Sequence, residues 1–88
     1  MPYITQEERR ELDPIIDQLI DALRKAPKDR VDGRLNYVIY RLLLNLYEPR
    51  YFEYNRAMGV LACVSQEFYR RIVAPYEDKK MRESGDIR

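Results

Sequence analysis

Two prolines, Pro49 and Pro75, bracket twenty-five residues that contain no other proline, RYFEYNRAMGVLACVSQEFYRRIVA. Within them apolar side chains recur at helical spacing on one arc: Tyr51, Tyr54, Ala57, Met58, Val60, Leu61, Val64, Phe68, Tyr69 and Ile72. Glu53, Asn55, Arg56, Gln66, Glu67, Arg70 and Arg71 occupy the opposite arc. Proline lacks an amide hydrogen and restricts the residue before it, so the pair sets expected ends. The spacing predicts a helix over about 50–74, with a length of about 37 Å at the rise of an α-helix.

Gly59 sits in the middle of that helix at a cost of about 1 kcal/mol relative to alanine. Either a kink or the close approach of another backbone to Gly59, Ala62 and Cys63 is the expected compensation. Gly59 therefore joins Tyr47, Tyr51 and Tyr54, which cluster around the corner at Pro49, as a candidate interface set.

Two more helices precede it. Asp13 followed by Pro14 pairs an N-cap acid with a proline at the first helical position. Ile15, Ile16, Leu19, Ile20 and Leu23 then form one apolar stripe, and Pro27 stops the run, which predicts a helix over about 14–26. Before it, Thr5 and Glu8 fit a capping box, so a short separate turn is expected through Glu7 to Leu12. The stretch KDRVDG reads as a connecting loop with Asp32 as the next N-cap, leading into a helix over about 33–47. That helix is apolar nearly all round, with Arg34, Arg41 and Asn45 as its polar stripe, and it is expected to be the most buried element.

The fold class is all-α: a small helical bundle of three main helices plus short terminal helical turns. Residues 1–78 form a single helical domain and 79–88 a polar C-terminal tail, in which Glu77 to Arg82 can turn helical before Ser84 and Gly85. A chain of 88 residues buries only about 60 to 65 percent of the surface its unfolded state exposes, so its core is thin and homo-oligomerisation is the expected remedy.

Composition excludes more than it assigns. There is no histidine, which removes the usual general base, metal ligand and pH switch. A formal net charge of +1 argues against a dedicated nucleic-acid binder, although residues 30–76 hold seven arginines against four acids. The single Cys63 closes no intrachain disulfide and, without a histidine to activate it, reads as a structural thiol. No apolar run approaches the length of a membrane span, and no signal-peptide core follows MPYITQEERR, so a cytoplasmic location is expected.

Four constellations remain. Arg34 and Arg41 lie two turns apart with Asn45 continuing their stripe, and guanidinium forks suit phosphate or carboxylate. Asn55, Arg56, Glu67, Arg70 and Arg71 line the polar face of the long helix. Each set fits a phosphate-bearing ligand such as a nucleotide; structural pairing is the favoured reading of both, Arg34 and Arg41 with Glu53, Glu67 or Asp17, and Glu67 with Arg70 and Arg71 at three and four residues. The aromatic cluster of Tyr37, Tyr40, Tyr47, Tyr51, Phe52 and Tyr54 can stack on a base or pack at an interface. Glu7, Glu8 and Glu11, with Asp17 and Asp21 after them, resemble the magnesium-binding acids of all-helical nucleoside triphosphate pyrophosphohydrolases. Arg9 and Arg10 in their midst favour an ordinary acidic helix start.

The runs DGRLNYVIYRLL (32–43), YFEYNRAMGVL (51–61) and EFYRRIVAPYEDKKMRESGD (67–86) resemble a family of small uncharacterised helical proteins of prokaryotes and phages. That resemblance implies a compact helical domain and supplies no catalytic residue. The reading is therefore a self-associating protein-interaction module, not an enzyme, with no cofactor and no metal. A protein partner and an anionic small ligand are its candidate partners, and magnesium-dependent pyrophosphohydrolysis is the remaining alternative.

Overall fold

The computed structural model describes residues 4–87. Among them every regular element is helical, with no strand: α1 (Gln6–Arg24), α2 (Lys28–Leu46), α3 (Tyr51–Phe68), a π turn at Tyr69–Val73 and α4 (Ala74–Ser84). The chain divides into two compact units at the Glu48/Pro49 junction, Met1–Glu48 and Pro49–Arg88.

In the first unit α1 and α2 pack on one another. The capping box is real and it starts α1: the Glu8 amide donates to Thr5 Oγ1 at 3.2 Å and the Thr5 amide to Glu8 Oε1 at 3.5 Å. The expected turn at Glu7–Leu12 and the expected helix from Pro14 are thus one helix, with Pro14 inside it. Two reciprocal cap bonds, followed by the good helix formers of Gln6–Leu12, outweigh the single bond that Pro14 cannot donate to the Arg10 carbonyl. Arg24 in the last turn faces the negative end of the dipole, and the helix closes before Pro27 as its sequence requires.

The second boundary also differs from expectation. KDRVDG is the first turn and a half of α2 rather than a loop, and the N-cap is Pro27, not Asp32. Pro27 has extended backbone angles, and its carbonyl accepts from the Arg30 amide at 2.9 Å. Proline before a first turn needs no amide hydrogen, so this start is inexpensive, and the glycine at 33 costs about 1 kcal/mol without stopping propagation. The connection from α1 shortens to Lys25–Pro27.

The second unit is one continuous helical path from Tyr51 to Ser84. Pro75 does not end it. Its missing amide and its ring would conflict with the Arg71 carbonyl in regular α geometry. The chain widens just before it, the Ala74 amide reaching back five residues to the Tyr69 carbonyl, and helix resumes with Pro75 in its first turn. α4 thus takes in the first half of the polar stretch after residue 78. Gly85 stops it: at φ 88° it takes the left-handed side of backbone space open to glycine, and its amide donates to the Met81 carbonyl at 2.8 Å.

Burial is sparse. Ala57, at 7 percent exposure, is the buried apolar residue among those described. Neither α1 nor α2 contains a buried residue, so α2 does not form an interior within one chain.

Candidate functional site

The arginine stripe of α2 borders apolar troughs in the first unit. One, of about 490 Å³, is lined by Leu19, Leu23, Arg30, Arg34, Tyr37 and Val38. A second, of about 440 Å³, is lined by Leu19, Tyr37, Val38, Arg41, Leu42 and Asn45. Arg34 and Arg41 therefore do share one side of the hairpin with Asn45, and Tyr37 borders both troughs. Their hydrogen bonds are made inside the hairpin. Arg34 Nη2 donates to the Ala22 carbonyl at 2.8 Å, tying the last turn of α1 to α2, and Asn45 Nδ2 donates to the Arg41 carbonyl at 2.7 Å.

On the second unit the polar face is a series of short-range pairs. Arg56 Nη1 meets Glu53 Oε2 at 2.7 Å. Glu67 Oε1 receives Arg70 Nη2 at 2.8 Å and lies 3.8 Å from Arg71 Nη1. These are the three- and four-residue spacings of a helix surface, worth about 0.3 to 0.5 kcal/mol each where exposed. Glu53 and Glu67 are thus engaged along their own helix. Asn55 is exposed on the same element.

The aromatic set spans the unit junction in sequence. Tyr47 closes α2 in an extended conformation, its amide donating to the Leu43 carbonyl at 3.2 Å. Tyr51 opens α3, and the Tyr54 amide donates to the Arg50 carbonyl at 2.9 Å. A methyl placed on Gly59 meets nothing within 4 Å, so within one chain no close approach demands glycine there.

Past the π turn, a surface hollow of about 520 Å³ is edged by Tyr69, Tyr76, Glu77, Lys80 and Met81. Tyr69 Oη donates to Glu77 Oε1 at 2.8 Å, and the Lys80 ammonium sits 5.5 Å from the Tyr76 ring centre. Bonding to the Glu77 carboxylate, and its charge, raise the Tyr69 phenol above its ordinary pKa. Sequence reading did not single out this pair, because it depends on a π turn that no local pattern announces.

Among the described residues no three carboxylate, cysteine or histidine side chains converge to hold a metal ion, and no helix is long and apolar enough to cross a membrane. What the second unit does present is apolar surface: Tyr51, Tyr54, Met58, Val64 and Phe68 are all exposed. Sequence periodicity put them on an arc with Ala57, Val60 and Leu61 without separating the covered part from the uncovered.

These features define a small all-α protein whose charged groups serve helix surfaces and whose apolar side chains lie largely at the surface. Its sequence matches, over residues 1–87, the profile of a domain of unknown function (DUF6899), and the chain belongs to that family. No curated protein and no solved structure matches it.

Proposed function

We infer that the protein is a self-associating interaction module, whose folded form is completed by other copies of itself. The observation that carries this reading is the near absence of buried residues. Among those described, Ala57 alone makes up the buried core, while large apolar side chains such as Leu42, Leu46, Tyr51, Met58 and Phe68 remain exposed. Burial of apolar surface is the dominant favourable term in folding, and helices of this length owe most of their stability to packing.

The arginines support this reading over a phosphate-binding one. Arg34 is engaged by a backbone carbonyl, and Arg56, Arg70 and Arg71 by carboxylates one turn away. At Arg56 and Arg70 an anion would compete with Glu53 and Glu67 for the guanidinium donors. A cytoplasmic setting accompanies the reading and accommodates the free Cys63.

Sedimentation velocity at micromolar concentration tests it. A mass of two or more chains is expected. A monomer at every concentration, coupled with a thermal shift on adding nucleotides, would transfer the assignment to the ligand-binding reading.

A further inference from the structure

The second unit is a helical path with no other element of its own unit to pack on, and one strip of α3 is built for a helix. Tyr51, Tyr54, Met58, Leu61, Ser65 and Phe68 follow one another at steps of three, four, three, four and three. That alternation is the period of a two-helix seam, in which a side chain from one helix fills the hole between four of its partner. Tyr51 is 81 percent exposed, Tyr54 53 percent, Met58 65 percent and Phe68 60 percent, so four of the six stand uncovered.

We propose that this strip of α3 is the seam by which two copies of the chain pair, helix against helix. The inference rests on the self-association reading above and names its surface. Three observations select a second copy as the occupant. A strip of this period packs well against a helix of matching repeat, which a second copy supplies; a strip meeting its own image forms the closed, two-fold contact typical of homodimers. Between Tyr51 and Phe68 the residues that flank the strip, Asn55, Ala57, Ala62 and Val64, are uncharged. The charged pairs of Glu53 with Arg56 and Glu67 with Arg70 lie around the helix from it.

The area reaches the small end of specific interfaces. At their observed exposures the two tyrosines, the phenylalanine, Met58 and Val64 leave roughly 500 to 600 Å² of side chain uncovered per chain, close to the roughly 600 Å² a side at which specific interfaces begin. Ser65 is the weak point of the seam, a small polar residue where an apolar knob belongs.

The test compares sedimentation masses of the full chain and three variants, each checked for helix content by circular dichroism. Met58→Asp places a charge in the seam, and Ile15→Asp places one on α1, where Ile15 is 63 percent exposed. Ser65→Leu fills the gap. The proposal expects a dimeric wild type, a monomeric Met58→Asp and a dimeric Ile15→Asp. It also expects Ser65→Leu to tighten the self-dissociation constant about a hundredfold, since each of the two copies buries a leucine in place of a polar group at about tenfold apiece. Should Met58→Asp fail to fold, the Ser65→Leu result decides alone. An oligomer that survives Met58→Asp, or is dissociated by Ile15→Asp while Ser65→Leu changes nothing, overturns the seam and leaves self-association standing. A monomeric wild type overturns both.

Discussion

The phenol of Tyr69 donates to the carboxylate of Glu77 at 2.8 Å, although eight residues separate them. In an uninterrupted α-helix residues eight apart are offset by about 80° around the axis. The π turn at Tyr69–Val73 absorbs one extra residue and brings the two side chains nearly into line, as residues seven apart would be. Pro75, the π turn and the Tyr69–Glu77 bond are thus one device. It lets a helix continue through a proline that would otherwise end it.

Its titration follows from the chemistry. The neutral phenol is the donor, and ionising it sets two anions against each other, so the folded-state pKa is raised. The contribution of this bond is therefore fully present below the ordinary phenol pKa of about 10 and is lost as pH rises through the raised value. In Glu77→Gln the Tyr69 titration, followed by the tyrosinate absorbance difference from a Tyr69→Phe control, should fall back toward the ordinary value. A titration unmoved by that substitution would refute the bond.

Pro75→Ala should act at a distance on the same group. With an amide restored at position 75 the Arg71 carbonyl gains its α-helical partner, the extra residue is no longer accommodated, and Tyr69 loses its alignment with Glu77. Helix content is expected to hold or rise while the Tyr69 pKa drops. Loss of helix beyond residue 74 would show that the π turn has another cause.

Thr5→Ala removes one half of the reciprocal cap at the start of α1. It should lower stability by about 1 kcal/mol, read from the urea midpoint at constant slope. Fraying confined to residues before Pro14, seen by amide exchange, is the expected local signature, because that proline already interrupts the ladder.

Gly59→Ala should stabilise the protein by about 1 kcal/mol. A methyl there has open space, and position 59 lies off the strip from Tyr51 to Phe68. The thermal midpoint should rise with oligomer mass unchanged. Loss of mass would instead place Gly59 at the crossing of two helices.

The contrast among Pro14, Pro27, Pro49 and Pro75 shows what was legible in the sequence. Pro27 and Pro49 lie at boundaries as read, because each coincides with a break in the apolar stripe. Pro14 and Pro75 lie inside helices, because a reciprocal cap in one case and a π turn in the other offset a single missing bond. Asp32 was a plausible cap by type, yet Pro27, five residues earlier, already provides an extended start. On the polar face, Glu67 pairs with Arg70 and Arg71 as their spacing required, since such pairs depend on one helix alone. The split of the α3 arc into a covered part around Ala57 and an uncovered strip through Met58 was not legible. Periodicity says which residues share a face and nothing of what lies against it.

In the proposed self-association this chain completes its core with another copy. The most direct measurement is the thermal midpoint across a hundredfold range of protein concentration. If folding and association are one event, the midpoint rises steadily with concentration, as mass action requires. A sharp, cooperative transition at the same temperature across the whole range would contradict it.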